Sequence, residues 1–345
     1  MDLSWLPGAL LPWYQQNKRE LPWRQDKEPY HVWLSEIMLQ QTRVEAVKGY
    51  YVRFLSALPT VSHLANCDDE KLHKLWEGLG YYSRVRNLKK CARILTEQYG
   101  GEFPKTPEEI QKLPGIGPYT AGSVCSICFN LPTPAVDGNV LRVISRLWAE
   151  KTPIDSPAFQ KKARAALAEI YPAQAGDFTQ ALMELGATVC GPNRAPDCAV
   201  CPCQNRCRAA QAGTAQNFPV KTPKKPRRIE KMTLFILSCD GKIALEKRPN
   251  QGLLAGLWQF PNTPGALSVA DALAYLESLG IAPRELIRQV EKNHIFTHVQ
   301  WDMTGYYLEV NEPLPSYTWL SPEEINTFAA LPTAFKQFWE EVTHV

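Results

Sequence analysis

No apolar run in the sequence is long enough to span a bilayer, which excludes a helical membrane protein. The amino terminus, MDLSWLPGALLPWY, has no basic flank ahead of its short apolar stretch, so no secretory signal is expected. There is no internal repeat and no low-complexity tract, which argues against solenoids and disordered tails. An excess of one charge is also missing. Against 35 Asp and Glu stand 38 Lys and Arg, a net +3, and that total alone says little about partners. The charge is uneven, however, and local clusters carry more than the sum. Ten cysteines in a chain without a signal argue against a disulfide framework and for a reduced, cytoplasmic compartment with a metal site.

The chain, at 345 residues, is long enough for two domains or more. Residues 1–212 read as almost entirely helical. In TRVEAVKGYYVRFLSAL, Val44, Val47, Tyr51, Phe54, Leu55 and Leu58 recur at helical spacing. In YSRVRNLKKCARILTEQYGG, Val85, Leu88, Ala92 and Leu95 share a face, and Gly100-Gly101 supplies a stop. Thr106-Pro107-Glu108-Glu109 reads as a capping box with proline at the first helical position. Asp137 precedes a stripe of Val140, Val143, Ile144 and Leu147, and Ser156-Pro157 and Asp177 are each expected to open a helix. Residues 213–230 lack periodicity and are rich in proline and cations, among them Lys221, Lys224, Lys225, Arg227 and Arg228. They read as an extended linker. Residues 231–345 read as α+β. Strand-like MTLFILSC, KIALEKR, IFTHVQWDMTGYYLEV and YTWL are expected around one helix, SVADALAYLESLG.

The strongest chemical signal is the stretch CGPNRAPDCAVCPCQNRC. Cys190, Cys198, Cys201 and Cys207 fall at C-x7-C-x2-C-x5-C, with Cys203 as a spare thiol. Four thiolates on a short loop can enclose a tetrahedral zinc or a cubane iron–sulfur cluster, and spacing does not choose between them.

Four further motifs carry chemistry. Leu113-Pro114-Gly115-Ile116-Gly117-Pro118-Tyr119 lies between two expected helices. It reads either as a plain helix–helix turn or as a glycine hairpin whose outward amides suit a phosphate. Asp137 is either an N-cap or a carboxylate held beside a developing cation. Glu36, within WLSEIMLQQTRV, is either a solvated helix residue or a carboxyl in apolar surroundings. In the second case its raised pKa makes it a general acid. Gln40, Gln41 and Thr42 follow it, with amide and hydroxyl groups suited to base edges. Gly78-Leu79-Gly80-Tyr81-Tyr82-Ser83 runs into Arg84, Arg86, Lys89, Lys90 and Arg93. That is either a solvated basic face or an aromatic wedge beside phosphate-binding cations.

Together these residues closely resemble the helix-hairpin-helix DNA glycosylases and, within them, the MutY-type adenine DNA glycosylases. The likeness rests on LPW at 21–23, SEIMLQQT at 35–42, GLGYYSR at 78–84, LPGIGPYTAG at 113–122 and VDGNV at 136–140, in the family's order. The resemblance implies an all-α helix-hairpin-helix glycosylase domain with an iron–sulfur loop. It implies that Glu36 is the acid, Asp137 the cation-stabilising carboxylate, and Tyr119 and Asn139 their supports. Gln41, Thr42, Leu79 and Tyr81 would engage the duplex around the lesion, and Gly115 and Gly117 the backbone. Cys190, Cys198, Cys201 and Cys207 would hold a [4Fe-4S] cluster, although the family more commonly begins C-x6-C. The implied substrate is adenine opposite 8-oxoguanine or guanine in double-stranded DNA, acted on by a monomer in a bacterial cytoplasm, nucleoid-associated when bound.

The second domain resembles the Nudix fold, best at RPNQGLLAGLWQFPN, residues 248–262. A working Nudix hydrolase needs a glutamate-rich helix for Mg²⁺, and the segment NTPGALSVADALAYLESLG after Pro261 holds a single glutamate, Glu277. This argues against a nucleotide pyrophosphatase. The resemblance implies a recognition module in which Thr297 and His298 of Phe296-Thr297-His298 contact 8-oxoguanine. Thr297 stands where the family more often has serine. Two alternatives remain: an endonuclease III-type glycosylase/lyase and a non-catalytic, metal-stapled DNA-binding protein. The lyase class carries a lysine in the hairpin helix, whereas this chain has Tyr119 there and no lysine between Lys112 and Lys151.

Overall fold

The computed structural model describes residues 2–192, 195–223 and 225–342. The linker cation Lys224 lies outside them. Neither unit is continuous in sequence: one comprises Met1–Asn66 and Arg86–Lys224, the other Cys67–Val85 and Lys225–Val345. Among the described residues no helix is long and apolar enough to cross a membrane.

The first unit is helical, as expected. Its elements are α1 (Leu6–Asn17), α2 (Pro29–Leu39), α3 (Val44–Ala57) and α4 (Val61–Asn66). After α5 (Asp69–Trp76), which belongs to the second unit, come most of α6 (Ser83–Tyr99), α7 (Pro107–Ile110), α8 (Pro118–Phe129), α9 (Gly138–Trp148), α10 (Pro157–Ala168), α11 (Ala175–Thr188) and α12 (Arg208–Gln211). Local chemistry sets many of the boundaries. Proline opens α2, α7, α8 and α10, where its missing N–H costs nothing. Asp137 and Ser156 cap α9 and α10. After α6, Gly100 and Gly101 take φ of 64° and 88°. Asp177 does not open a helix. It sits in the first turn of α11, which begins at Ala175, and its carboxylate accepts from Gln15 Nε2 at 2.9 Å. The capping box at Thr106 is half formed: its hydroxyl accepts from the Glu109 amide, but the Glu109 carboxylate meets that hydroxyl instead of the cap amide.

Helix α9 is central, with every residue from Val140 to Trp148 buried. It packs with α1, α10 and α11 in one apolar core that includes Leu6, Leu10, Ile144, Phe159, Phe178 and Leu182. Two glycines let its neighbours come close. A Cβ on Gly122 of α8 would stand 2.4 Å from the Pro134 carbonyl oxygen, and one on Gly186 of α11 would stand 2.7 Å from Asn139 Cβ. Residues 218–223 run back along this unit. The Ile154 amide donates to the Val220 carbonyl at 3.0 Å, and the Thr222 amide to Asp155 at 3.1 Å.

The second unit is built on a seven-stranded sheet in which β3-β2-β1-β6-β5 form the main path. Its strands are β1 (Arg228–Cys239), β2 (Lys242–Lys247), β3 (Trp258–Gln259), β4 (Asn262–Pro264), β5 (Pro283–Ile295), β6 (Val299–Val310) and β7 (Thr318–Leu320). Strands β1 and β6 are parallel, whereas β5 and β6 form a long antiparallel hairpin. Alternate residues of β1 serve opposite faces. Leu234 and Ile236 join a core with Phe335 and Phe338 of α15 (Thr333–Val342), and Phe235 and Leu237 join another with Ala272 and Leu276 of α13 (Val269–Ser278). The expected strand 295–310 is broken at Phe296-Thr297-His298, the tip of the β5–β6 hairpin, where the Phe296 amide donates to the Val299 carbonyl at 2.8 Å. Strands β3, β4 and β5, with α14 (Pro322–Thr327) and α15, add to the expected elements.

The tight approach at α8 gives a direct test. Gly122→Ala places a methyl group against backbone that cannot rotate away, so it should lower stability by about 1–3 kcal/mol. Urea denaturation should show a lower midpoint with an unchanged slope. A midpoint equal to wild type would mean that the Pro134 segment yields without cost.

Candidate active site

A cleft of about 1210 Å³ opens in the first unit, and both candidate carboxyl groups line it. Glu36 lies on α2 between Ser35 and Ile37 and is only 6% exposed. The Tyr119 hydroxyl, from the first turn of α8, donates to its carboxylate and also lies 3.9 Å from Met183 Sδ. Burial raises the Glu36 carboxyl from its ordinary 4.5 to about 7, and the charge of Asp137 adds to the rise. Tyr119 and Arg24 oppose it. Burial, with the charges of Glu36 and Asp137, also pushes the Tyr119 phenol well above its ordinary range, so it stays a neutral donor.

Asp137 reaches the cleft as the cap of α9. Its Oδ1 accepts from the Val140 amide at 2.8 Å and its Oδ2 from Asn139 Nδ2 at 2.7 Å. Burial raises its pKa, while the Val140 amide, the Asn139 side chain and Arg142 resist the rise. The two readings of Asp137 are therefore compatible in one residue: a helix cap with a carboxylate facing a cleft. Gln41 and Thr42 line the same cleft, just beyond the end of α2. Gln41 is exposed and takes φ of 56°, a left-handed conformation that costs a non-glycine residue energy.

The glycine hairpin connects the short α7 to α8. Gly115 takes φ of 76°, and a Cβ there would meet Asn87 Cβ at 2.7 Å, so both the turn and the packing require glycine. Gly117 is extended and precedes Pro118. Leu79, Tyr81, Thr297 and His298 belong to the second unit. There the Tyr81 hydroxyl lies 3.4 Å from Thr297 Oγ1, and Thr297 and His298 are exposed at the hairpin tip.

Cys190, Cys198, Cys201, Cys203 and Cys207 line one small cavity beside Val143, Leu147 and Leu185. Among the described residues no group of three or more His, Cys, Asp or Glu is arranged to hold a single metal ion. Five thiols dominate the polar lining, beside Asp197 and Gln204. Burial pushes the Cys190 thiol up, and Arg146 Nη1, 3.1 Å from its Sγ, opposes the rise. These residues fit a thiolate-ligated centre.

Two groups of charged residues escaped the sequence reading. Glu184 of α11 is fully buried and meets Arg19 Nε at 2.7 Å and Arg24 Nη2 at 2.8 Å, all three lining the cleft. Burial alone would raise its pKa, but the two guanidinium groups outweigh it and hold the carboxyl below its ordinary value. Arg142 and Arg146 project from α9. Arg142 Nε donates to the Cys190 carbonyl at 2.8 Å, and its Nη2 to Asn139 Oδ1 at 2.8 Å and to the Gly186 carbonyl at 2.7 Å. Their sequence signal was available: two arginines four residues apart inside an otherwise apolar helical stripe.

Comparisons with known proteins show the family. Residues 34–171 match the model of the HhH-GPD superfamily base excision DNA repair proteins, and residues 232–341 match the NUDIX domain. A human protein named adenine DNA glycosylase is 38% identical, over 96% of this chain and 72% of its own length. An adenine DNA glycosylase from Buchnera aphidicola (strain Bp) is 33% identical, over 88% of this chain and 86% of its own. A solved thermostable thymine-DNA glycosylase superposes with a TM-score of 0.54 at 26% identity, covering 60% of this chain and 95% of its own. Because eukaryotic relatives match as well, the expected bacterial origin is not established by this likeness. The chain belongs to the adenine DNA glycosylase family of the HhH-GPD superfamily, base excision DNA repair enzymes that act on N-glycosyl bonds.

Proposed function

We propose that this enzyme, acting as a monomer, hydrolyses the N-glycosidic bond of adenine paired with 8-oxoguanine, or with guanine, in duplex DNA. The observation that carries the reading is the buried Glu36 carboxyl, poised near pH 7 in the same cleft as Asp137. The glycosidic bond is inaccessible inside the stack, so the adenine must first be flipped out of the duplex. Adenine leaves badly as an anion. A proton from Glu36, delivered at N7, lets it leave neutral. The sugar then takes on oxocarbenium character, and Asp137 supplies the opposing charge. The pairing parallels the two carboxyl groups of glycosidases. Tyr119 and Asn139 hold the acid and the carboxylate, and water completes the hydrolysis. A lyase would need an amine nucleophile. The residue beside Glu36 is a neutral phenol, which supports a monofunctional enzyme.

In this reading Cys190, Cys198, Cys201 and Cys207 hold a [4Fe-4S] cluster. When bound, the cluster would brace the loop that follows α11. The helical domain would span 1–212 and the linker 213–230, although residues 67–85 pack in the second unit and residues 228–230 already run in β1. The domain from 231 would read the base opposite adenine through Thr297 and His298. Gln41 and Tyr81 would enter the duplex around the lesion, Thr42 would stand beside Gln41 with Gly115 and Gly117 on the duplex backbone, and Leu79, expected among the recognition residues, is buried.

The acid role sets a pH dependence. Glu36 must be protonated, so the single-turnover excision rate should fall as pH rises through about 7. Glu36→Gln should reduce that rate by about a hundredfold or more and abolish the alkaline limb, while DNA affinity stays near wild type. Excision by the variant at the wild-type rate would remove Glu36 from the chemistry.

Iron analysis of anaerobically purified protein should find about four irons per chain, with a yellow-brown colour. Cys203→Ser should retain them and Cys198→Ser should lose most. Stoichiometric zinc in a colourless protein would overturn the cluster assignment.

Replacing both Thr297 and His298 by alanine should cut the preference for 8-oxoguanine over guanine. One or two lost hydrogen bonds are worth about 1–3 kcal/mol, or roughly five- to a hundredfold. Adenine opposite guanine should still be excised. An unchanged preference would end the recognition role of the hairpin tip.

A further inference from the structure

Helix α5 lies between α4 and α6 in sequence, yet it packs in the second unit. Three charged residues, Glu70, Lys74 and Glu77, fall at intervals of four and three and therefore share one side of the helix end. Each finds a partner in the sheet-bearing part of its unit. The Glu70 carboxylate accepts from Lys247 Nζ and, at 2.8 Å, from Trp258 Nε1. Lys74 Nζ donates to the backbone carbonyls of Ile325 at 3.2 Å and Ala329 at 3.1 Å, and pairs with Glu77 at 2.9 Å. Glu77 Oε1 accepts from the Leu331 amide at 3.0 Å. Side-chain exposures of 14%, 21% and 12% for Glu70, Lys74 and Glu77 place this clasp largely out of water, where such bonds fix geometry.

The clasp leads into a loop with little freedom of its own. Gly78, Gly80 and Tyr81 take φ of 95°, 69° and 48°. The Gly80 carbonyl accepts from Trp76 Nε1 at 3.0 Å and from Arg84 Nη2 at 3.0 Å, and Arg84 Nη2 also reaches the Leu79 carbonyl at 2.9 Å. The loop is thus bolted to Trp76, the last residue of α5. It ends at Tyr81, a half-exposed ring in a left-handed conformation whose hydroxyl lies 3.4 Å from Thr297 Oγ1. The hairpin tip carrying Thr297 is held separately. Arg227 Nε donates to the Phe296 carbonyl at 3.1 Å, the Arg228 amide donates to the His298 carbonyl at 3.2 Å, and the Phe296 ring packs on Trp301.

We propose that the Glu70–Lys74–Glu77 clasp is a specificity-positioning device: it sets the distance between Tyr81 and Thr297, so that wedge and reader meet the base opposite adenine as one jaw. The proposal rests on the recognition role given above to Tyr81 and Thr297. None of the three clasp residues touches the substrate. They act through the backbone of residues 76–81.

The test uses the full-length protein with Glu70→Gln, Lys74→Met and the double variant. Single-turnover excision is measured on duplexes with adenine opposite 8-oxoguanine and opposite guanine. The double variant should excise adenine opposite guanine within about twofold of wild type and lose about fivefold or more of its preference for 8-oxoguanine. Thr297→Ala should add little to that loss, because the two changes break one arrangement. Lys74→Arg, which keeps the donors, should restore most of the preference. Amide exchange of residues 78–82 should quicken about tenfold in Lys74→Met without a change in the exchange of β1. A double variant with wild-type preference and unaltered loop exchange would overturn the proposal, as would an equal fall on both duplexes. Should Thr297→Ala with His298→Ala leave the preference intact, the recognition reading fails instead. The clasp's hold on the loop then stands or falls on the exchange result.

Discussion

Two carboxyl groups drawn toward one cleft impose the constraint on which the first unit is built. For Glu36 the displacement from 4.5 to about 7 corresponds to about 3 kcal/mol in the ionised form. The sign comes from linkage. A carboxyl whose folded pKa is raised favours the folded state while protonated, and stability is lost as pH climbs from the unfolded value to the folded one. Below about 4.5 the group costs nothing, and by about 7 the full cost is present. Asp137 meets the same difficulty with a cheaper solution. The start of α9 has amides without helical partners, and the carboxylate satisfies one of them while Asn139 satisfies its other oxygen. Glu184 shows a third arrangement, full burial against two guanidinium groups. Three acids in one region thus have three fates: raised to about 7, raised but capped, and held ionised.

Helix α9 ties the cleft to the cysteine loop. Its first turn orients Asp137. One turn later, Arg142 grips Asn139 Oδ1 with one edge of its guanidinium and the Cys190 carbonyl with another. One more turn on, Arg146 reaches Cys190 Sγ and the carbonyls of Ala215 and Phe218. An unbroken path of charge-assisted and amide hydrogen bonds therefore runs from the cysteine loop to the carboxylate. Gly186 makes this possible, since any side chain there would displace Asn139. The helix can bury two arginines because most of the hydrogen bonds they make end on backbone carbonyls.

How much of this was legible in the sequence depends on range. Local signals were readable: proline at helix starts, Asp137 and Ser156 as caps, the glycine stop after α6, the apolar stripe of α9. The helical class of the first unit and the mixed class of the second came from periodicity. Asp177 misled because an acid in a first turn looks like a cap, and only the backbone distinguishes N-cap from N3. The break at Phe296-Thr297-His298 has no glycine or proline to mark it. Strand β5 was hidden by its composition: PRELIRQVEKNHI lacks polar–apolar alternation in sequence although its burial alternates, because many of its residues are long and charged, as suits an edge strand. Arg19 and Arg24 lie 165 and 160 residues from Glu184 in the chain, and no local pattern announces such a meeting.

In the proposed function, opposite demands on solvent separate the acid from the reading residues. An acid held near pH 7 needs a site from which water is largely removed, and Glu36 obtains it from the middle of a buried helix. A group that reads a base edge needs an exposed side chain on a frame that does not move. A hairpin tip offers both: Thr297 and His298 stand in solvent while Phe296, one residue earlier, is pinned between His294 and Trp301. Tyr81 obeys the same rule, exposed on a loop whose backbone is held by Trp76 and Arg84. A side chain on a rigid backbone spends less ordering entropy on binding, so the discrimination proposed above between 8-oxoguanine and guanine could rest on one or two hydrogen bonds. Were the tip flexible, the ordering cost would fall on the duplex whose base it is proposed to contact, and the difference between the two duplexes would shrink.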